Sequence, residues 1–512
     1  MLDIVDDPAL QARLRPGALA VFEFATGRRW NYAEWDLAIA RTVRVLSGRY
    51  GIGPGERVAH LGHNCAEHVL LHLACARLGA IFVPLNWRLA VAKLARLLDD
   101  CEPALLVGDR ECLSAGIFRP RAVDVAVLRR EVEAATPLAS APFDPSRPSL
   151  ILYTSGTSGR PKGVLLSERN IAQTAVNFSV VAQVTHTSVV LADAPMFHVI
   201  GIVANVRPVF MRGGAVLVSA RFEPATTLAR LADPRLRVTH WFCVPQVAQM
   251  LRDAAGFDPE KLRGLTGIFS GGAPNPAAHV RRWLEDGVPI ADGLGMSETG
   301  TISCMPLELA LIDRKAGSVG LVPPGMRLRI VDADGRDVPP GGAGELWLKG
   351  RNVFSAYWRA PAETAKAFNG DGWFRTGDIV SQDEEGFLYV VDRRKDMFIS
   401  GGENVYPAEV EAVLTELAGI REAAVVGVPD ARWGEVGHLA VVVAHDGPGA
   451  ATIQAFIEAR LARYKVPKYV SFVEALPRTG SGKIQKTRLR EQIRAEQPLD
   501  RSAGPDDRPV RR

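Results

Sequence analysis

A glycine-rich segment from Tyr153 to Val164, YTSGTSGRPKGV, constrains this chain more than any other stretch. It follows the apolar run Leu150–Leu152, which is typical of a buried strand. Glycine lets the backbone approach a ligand closely, and exposed N–H groups, hydroxyls and one cation, Lys162, can together surround phosphate groups. It is not a Walker A loop, because Lys162 is followed by Gly rather than by Ser or Thr. We therefore predict a phosphate-binding loop; the alternative, a flexible connector, requires neither the strand nor the Pro-Lys-Gly ending.

Size and composition narrow the classes of protein that this chain can belong to. Its 512 residues exceed what one hydrophobic core usually supports, so we expect at least two domains. A net charge of +4 gives no reason to expect a nucleic-acid partner. No run is long enough for an integral membrane segment, and the N-terminus lacks the pattern of a signal peptide. The six cysteines show no CxxC or zinc-ligand spacing and favour a cytoplasmic location.

The first hundred residues alternate between helical and strand patterns. Helical spacing of apolar residues covers Trp35–Leu46 and Ala66–Leu78. Strand patterns cover Arg57–Leu61, Ala80–Leu85 and Ala104–Val107. This alternation predicts an α/β fold with a mostly parallel sheet covered by helices, an architecture that by itself supports many functions.

Three later segments place polar groups after strands or glycine turns. The run Ile268–Pro274 is a strand pattern ending in two glycines, where ligands often bind in open sheets. In DGLGMSET, Glu298 beside Ser297 suits a magnesium ion bridged to phosphate, although Ser-Glu also begins many helices. Asp378, after Thr-Gly, can accept hydrogen bonds from both ribose hydroxyls, or it can simply form a turn.

Three other features have an ordinary structural explanation. His198, within PMFHVIG, is surrounded by apolar residues like a packed core histidine. The charged run 392–396, DRRKD, is typical of a solvated surface. Lys483 lies at a Gly/Ser turn, as an exposed lysine would. A function can be assigned to these three features only from their order along the chain relative to the other motifs, and not from their residue types.

Taken in order, these motifs resemble those of the adenylate-forming enzymes, which include acyl- and aryl-CoA synthetases, adenylation domains of peptide synthetases and beetle luciferases. The resemblance extends from about Trp30 to about Leu489. It implies a large N-terminal domain of mostly parallel sheets covered by helices, and a small mobile α+β C-terminal domain. The implied boundaries are 1–391 for the first domain, 392–396 for a hinge and 397–495 for the second. The polar stretch 496–512 is predicted to be a disordered tail.

The resemblance also assigns roles to individual positions. It implies that Lys483 and Glu298 are catalytic, that Lys395 is the hinge pivot, and that Glu298 and Thr154 are near magnesium. It implies contacts with ATP or AMP for Thr154, Ser155, Gly156, Thr157, Ser158, Gly159, Lys162, Gly272, Ala273, Asp292, Gly293, Leu294, Ser297, Asp378 and Arg393. The family often has an aromatic residue where Leu294 stands, so we expect that adenine stacking is weakened here or the acyl tunnel is wider. It often has Thr where Ser297 stands, and Ser keeps the hydroxyl.

The resemblance also implies which positions contact the acid and which contact the thiol acceptor. The implied acyl pocket comprises His198, Val199, Ile200, Val203, Gly272, Thr301 and Ile302. The implied coenzyme A contacts are Gly401, Gly402 and Trp433. ISGGENVYPAEVE and PDARWGE are similar to the branch with medium- and long-chain fatty acyl-CoA synthetases and aryl-CoA ligases.

The resemblance implies an AMP-forming acid–CoA ligase that uses ATP, Mg²⁺ and coenzyme A. The acid is fatty or aromatic, since small and aliphatic walls suit either. One alternative is an enzyme that adenylates an acid and loads a carrier-protein phosphopantetheine; a luciferase-like oxidation and a non-catalytic nucleotide-binding protein are less compatible with the motifs. The oligomeric state stays open, a homodimer being one option.

Overall fold

The computed structural model describes residues 6–114, 121–138, 144–154, 161–273, 275–393, 396–400, 403–430, 432–478 and 483–496. It confirms the mixed α/β class, with a large N-terminal part and a smaller C-terminal part. Strands and helices are numbered along the chain.

The first sheet is mostly parallel and has the strand order β14-β13-β12-β11-β9-β10-β1-β2. Only the edge pairs β13–β14 and β1–β2 are antiparallel. Its strands are β1 (Leu19–Glu23), β2 (Arg29–Asn31), β9 (Val189–Ala192), β10 (Ala215–Val218), β11 (His240–Cys243), β12 (Gly267–Gly271), β13 (Ile290–Met296) and β14 (Gly300–Cys304).

The second sheet contains the strand that precedes the glycine-rich segment. Its order is β17-β8-β7-β4-β3-β5-β6, and β7 and β8 form an antiparallel pair that flanks residues 155–160. Its strands are β3 (Arg57–Leu61), β4 (Ile81–Leu85), β5 (Leu105–Gly108), β6 (Ala122–Asp124), β7 (Pro148–Thr154), β8 (Lys162–Ser167) and β17 (Ala356–Tyr357).

Two smaller sheets complete the described strands. An antiparallel sheet of order β15-β16-β18-β19 uses β15 (Met326–Val331), β16 (Gly344–Gly350), β18 (Phe374–Gln382) and β19 (Leu388–Arg393). The C-terminal sheet has the order β21-β20-β23-β22, with β24 added to β23; it uses β20 (Phe398–Ser400), β21 (Glu403–Val405), β22 (Ile420–Asp430), β23 (Gly434–Val443) and β24 (Tyr469–Phe472).

Helices cover the faces of these sheets. Those of the N-terminal part are α1 (Asp7–Leu14), α2 (Tyr32–Gly48), α3 (Ala66–Leu78), α4 (Val91–Cys101), α5 (Arg110–Leu113), α6 (Val125–Ala134), α7 (Glu168–Val181), α8 (Arg207–Arg212), α9 (Pro224–Leu231), α10 (Pro245–Arg252), α11 (Ala277–Glu285), α12 (Leu309–Arg314) and α13 (Pro361–Ala367). The later ones are α14 (Pro407–Leu414), α15 (Ala450–Glu458) and α16 (Lys486–Glu496). Within the described ranges, none of these helices has both the length and the apolar character needed to cross a bilayer.

The predicted elements are present, with ends shifted by local capping. The helix predicted from Trp35 begins at Tyr32, because Asn31 accepts a hydrogen bond from the Glu34 N–H and the Glu34 carboxylate accepts one from the Asn31 N–H. The predicted strand Arg57–Leu61 and helix Ala66–Leu78 have the predicted bounds.

The N-terminal core contains three histidines that the sequence did not mark. His60 on β3 and His68 and His72 on α3 are buried, and the Nδ1 atoms of His60 and His68 are 3.0 Å apart. Burial lowers the pKa of all three, that of His60 to about 4. Neutral imidazoles therefore fit this core, and imidazolium ions do not.

We expect the free energy of unfolding to fall as pH drops from about 6.5 towards 4. In that range these histidines bind protons in the unfolded chain but stay neutral in the folded one. Above about pH 6.5 the three histidines are neutral in both states and no longer lower the free energy of unfolding. Urea midpoints measured between pH 7.5 and 4.5 test this, with His68→Gln and the exposed control His186→Gln. The His68→Gln variant should show a shallower pH dependence than both wild type and the control; an unchanged slope would contradict the assignment.

Candidate active site

The glycine-rich segment is held at both ends by one antiparallel strand pair. Thr154, the last residue of β7, is paired with Lys162, the first of β8, and the Thr154 hydroxyl donates to the Lys162 carbonyl at 3.4 Å. The predicted phosphate ligands of residues 155–160 lie outside the described residues. Lys162 Nζ is 2.5 Å from the Glu363 carboxylate on α13 and 5.1 Å from the centre of the Tyr357 ring.

The Tyr357 ring connects this lysine to the predicted magnesium ligand. Its hydroxyl donates to Glu298 Oε1 at 2.9 Å, and the Glu298 carbonyl accepts the Phe354 N–H at 2.8 Å. Glu298 is buried, and burial together with this carboxylate raises the pKa of Tyr357 far above its ordinary value. Lys162 and Glu298 are thus both neighbours of the Tyr357 side chain, the first near its ring and the second at its hydroxyl. The sequence offered no signal for Tyr357 or for Glu363.

The predicted nucleotide residues on β13 are near the ends of the parallel strands. Asp292 is buried and accepts a hydrogen bond from Asn275 Nδ2 at 2.9 Å. Burial raises its pKa to about 7. Gly293 and Leu294 follow it on the strand, Ser297 is half-buried in the turn after β13, and Ala273 is exposed beside the β12 end.

The predicted ribose ligands lie opposite each other on the antiparallel pair β18–β19. Asp378 is buried and pairs with Arg393, the last residue of β19. Within β18, the Asp378 N–H donates to the Thr376 hydroxyl at 3.1 Å. Two residues that lie 15 positions apart in sequence are therefore neighbours. Lys395, the predicted hinge residue nearby, lies outside the described residues.

Lys483 belongs to the C-terminal part of the chain but lies beside Gly272, which follows β12 of the first sheet. A Cβ placed on Gly272 would lie 3.7 Å from Lys483 Nζ and 3.7 Å from Ile200 Cδ1. Gly272 has φ +83°, a conformation that favours glycine. His198 is close by. Its pKa is lowered to about 4, mainly by burial and to a smaller extent by the positive charges of Lys483 and Arg88. His198 is therefore neutral at physiological pH.

A cavity opens beside Gly272 and contains part of the predicted acyl pocket. Of the predicted residues, Val199, Ile200, Gly272, Leu294 and Thr301 line it. Ile302, the next residue on β14, faces the opposite side of the strand and packs against Leu346 and Val380, since successive strand residues alternate between faces. Val203 is buried in the main core rather than among the lining residues.

The predicted coenzyme A contacts belong to the C-terminal sheet. Trp433 is 47% exposed in the turn between β22 and β23, with the Arg432 guanidinium 4.8 Å from its ring centre. Ser400 pairs with Gly434 beside it. Gly401 and Gly402 lie outside the described residues. An exposed tryptophan next to a cation is a surface suited to stacking on a flat ligand group.

Comparison with known proteins identifies the class. Residues 9–358 match the family model described as AMP-binding enzyme, and residues 409–483 match its C-terminal domain. The chain therefore belongs to the AMP-binding enzyme family.

Individual relatives specify the reaction. The chain is 38% identical over 492 residues to a feruloyl-CoA synthase from Amycolatopsis sp, covering 94% of this chain and 97% of the relative. It is 38% identical over 501 residues to indoleacetate–CoA ligase of Aromatoleum aromaticum (94% and 96%), and 34% identical over 502 residues to long-chain-fatty-acid–CoA ligase FadD13 of Mycobacterium tuberculosis (95% and 98%). The chain is an acid–CoA ligase that acts through an acyl-AMP.

Solved structures of other proteins have a similar fold. ATP-bound MatB from Rhodopseudomonas palustris is 31% identical with a TM-score of 0.86, covering 95% of this chain and 99% of that one. o-Succinylbenzoate CoA synthetase from Bacillus subtilis, in complex with its acyl-adenylate intermediate, is 29% identical with a TM-score of 0.85, covering 96% and 98%. These comparisons favour the predicted fold and reaction.

Proposed function

We propose that the chain activates its acid at the face formed by Gly272, His198 and Lys483. A carboxylate resists nucleophilic attack because it already carries negative charge. Its oxygen therefore first attacks the α-phosphorus of ATP, and the bond from that phosphorus to pyrophosphate breaks. The coenzyme A sulfur then attacks the acyl carbonyl, the bond to AMP breaks, and the thiol proton goes to solvent. The products are the thioester and AMP.

The predicted residues have separate roles in these reaction steps. Lys162, with the hydroxyls of the glycine-rich segment, holds the outer phosphates, and Asp378 with Arg393 holds the ribose. Lys483 contacts both the carboxylate and the α-phosphate, where negative charge accumulates in the transition state. The observation that carries the proposal is the position of Lys483 against Gly272, because it brings a cation from the second family domain to the acyl pocket.

Glu298, with the Thr154 hydroxyl, fits a magnesium site of a particular kind. The described residues contain no group of three or more His, Cys, Asp or Glu side chains that could hold an ion by themselves. Magnesium commonly binds through one or two carboxylates and the phosphates of its nucleotide, so one buried carboxylate near Lys162 suffices. The ion would neutralise phosphate charge, while Tyr357 orients the Glu298 carboxylate.

The second half-reaction requires a different face of the C-terminal domain. We propose boundaries of 1–391, 392–396 and 397–495, with rotation about Lys395. Rotation withdraws Lys483 and brings Gly401, Gly402 and Trp433 towards the adenylate, where coenzyme A binds. Support comes from the resemblance and from the separate C-terminal sheet.

We also propose a cellular location and an oligomeric state. All six cysteines are free thiols, which supports a reducing cytoplasm. A homodimer is one compatible assembly, and sedimentation of the full chain would decide it.

Pyrophosphate and AMP release, measured with MgATP over a panel of acids with and without coenzyme A, tests the proposed function. The panel includes acetate, octanoate, hexadecanoate, benzoate and cinnamate. AMP release that needs both one class of acid and coenzyme A supports the ligase. Pyrophosphate release that ignores coenzyme A would favour the alternative, transfer to a carrier-protein phosphopantetheine.

We expect Glu298→Gln to lower the rate of adenylation by about 10²-fold and to raise the magnesium concentration needed for half-maximal rate, because the charged ligand is lost while the shape is kept. The measurement is pyrophosphate release against magnesium at saturating ATP. Glu384→Gln, an exposed change of the same type, serves as control. A magnesium dependence like that of wild type would contradict the role of Glu298.

A further inference from the structure

A second cavity lies in the N-terminal part, among the helices α2, α3 and α6 and the strand β2. We call it the α2–α3–α6 cavity. It encloses about 260 Å³. A water molecule occupies about 30 Å³ in the liquid, so this volume holds several waters or one small organic molecule. Among the described residues, its lining has no member in common with that of the cavity beside Gly272. It is therefore separate from the site at which we place adenylation.

Part of the wall of the α2–α3–α6 cavity is apolar. Leu37, on α2, is 39% exposed, which leaves hydrocarbon surface in contact with water at the cavity. The apolar lining residues are Trp30, Leu37, Ala38, Leu70, Leu128 and Val132. A ligand with an apolar body would remove this surface from water, and that transfer favours binding.

The carboxylates of the wall already have partners within the protein. Glu67, on α3, accepts hydrogen bonds from Arg28 Nη2 at 2.6 Å and from Arg129 Nε at 2.9 Å. Burial would raise the pKa of Glu67, but the Arg129 and Arg28 guanidinium groups hold it below its ordinary value. Glu34 belongs to the capping box at the start of α2, and Glu133 is 3.6 Å from Arg28 Nη1. Arg28 and Arg129 are therefore matched by protein carboxylates.

Arg41, on α2, differs from these two arginines. Its side chain lines the cavity, and its Nε is buried without a hydrogen-bond partner among the described residues. A buried donor of a charged group is costly to leave unpaired. The lining contains four arginines and three glutamates, a formal excess of one positive charge. An anionic acceptor inside the cavity would supply the missing hydrogen bond, and guanidinium groups suit carboxylate and sulfonate oxygens.

We propose that the α2–α3–α6 cavity is an accessory binding site for a small organic anion. The carboxylate or sulfonate group of this ligand binds Arg41, and its apolar body packs against Leu37, Leu70 and Val132. Inorganic phosphate would satisfy the guanidinium but would leave the apolar wall exposed, so an organic anion fits the cavity better. The proposal does not rest on the proposed function, because the residues to which we assign the reaction lie elsewhere.

Isothermal titration calorimetry of the full chain with 4-bromobenzenesulfonate tests the site. This probe has a permanent negative charge on one apolar ring and lacks the carboxylate that the enzyme activates. Binding is expected with a Kd of about 1 mM or below. Arg41→Met should weaken it at least about 10-fold, since it removes a charge-assisted hydrogen bond and keeps most of the volume. Arg44→Met, an exposed change of the same type on α2, should bind like wild type.

Three further measurements separate binding in this cavity from other effects. Leu37→Glu adds a negative charge at a half-exposed position of the wall and should also weaken binding at least about 10-fold. Lys483→Ala, which changes the adenylation site, should leave binding unchanged. The urea midpoint of Arg41→Met should match that of wild type, because Nε loses no partner within the described part of the chain. A large drop in that midpoint would indicate a structural arginine and contradict the proposal.

The location of the probe is checked by the anomalous signal of bromine in soaked crystals. A peak among α2, α3 and α6 supports the site. The proposal is wrong if the probe does not bind, or if binding is lost in Lys483→Ala and kept in Arg41→Met, which would place the probe in the adenylation site. A parallel titration with sodium phosphate tests the apolar part of the proposal. Phosphate that binds as tightly as the probe would show that the apolar wall contributes nothing and would overturn the assignment to an organic anion.

Discussion

Lys483→Ala should lower the rate of acyl-adenylate formation by about 10²–10³-fold, the usual effect of removing one group that stabilises transition-state charge. Thioester formation from supplied acyl-AMP and coenzyme A should stay within a few-fold of wild type. Lys483 Nζ lies beside Gly272, where we propose that the carboxylate and α-phosphate meet. In that proposal the lysine has no role once the adenylate has formed. Separate assays of pyrophosphate release and thioester formation provide the measurement.

Two companion variants sharpen this test. Lys468→Ala removes another lysine of the C-terminal part, half-exposed and paired with Asp430, and should leave both half-reactions intact. Lys395→Pro should have the reverse effect, with adenylation preserved and thioester formation lost, because it stiffens the proposed pivot. Equal loss of both half-reactions in Lys483→Ala would rule out its assigned role, and normal turnover in Lys395→Pro would rule out the hinge.

The sequence predicted much of this fold because its patterns are local. The strand before the glycine-rich segment, the helix Ala66–Leu78 and the strand Arg57–Leu61 each follow from apolar spacing within a few residues. Lys483 could be assigned only through the resemblance, because nothing about a lysine at a Gly/Ser turn distinguishes it chemically.

The parts that the sequence did not predict depend on contacts between distant segments. Tyr357 lies 59 residues from Glu298 and Glu363 lies 201 from Lys162, so no local pattern could pair them. Ile302 was expected in the acyl pocket next to Thr301, but adjacent strand residues face opposite sides, and only the pairing of β14 with β13 decides which one faces the cavity. The contacts among Phe178, Phe242 and Phe269 likewise join α7, β11 and β12.

A buried charge network behind the glycine-rich segment predicts the largest effect on stability. Glu168, the first residue of α7, accepts hydrogen bonds from Arg207 Nη2 at 2.7 Å and from the Ser149 hydroxyl at 2.7 Å. His72 Nε2 is 3.4 Å from the same carboxylate. Burial by itself would raise the pKa of Glu168, but the Arg207 guanidinium holds it well below its ordinary value. Since Ser149 belongs to β7, this network fixes the strand pair that carries the segment.

Arg207→Met should therefore lower the free energy of unfolding by about 3–5 kcal/mol, because it leaves a buried carboxylate without its cation. Replacing both partners, as in Arg207→Met with Glu168→Gln, should recover part of that loss, since the Glu168 charge is removed together with its cation. Recovery should be incomplete, because Asp7 still loses the Arg207 guanidinium 3.7 Å away. Urea denaturation at pH 7.5 measures both. Arg221→Met, which breaks the half-exposed pair with Glu223, should move the midpoint little.

The pH dependence distinguishes a lost charge pair from lost packing. In wild type, the low pKa of Glu168 stabilises the fold above the unfolded value of about 4.3, and this contribution is lost as pH falls below it. In Arg207→Met the carboxylate is unpaired and should take up a proton at a higher pH. The deficit relative to wild type should therefore shrink between pH 7.5 and 5, whereas a pure packing defect would be constant. A constant deficit, with no recovery in the double variant, would show that Arg207 acts through its volume rather than through its charge.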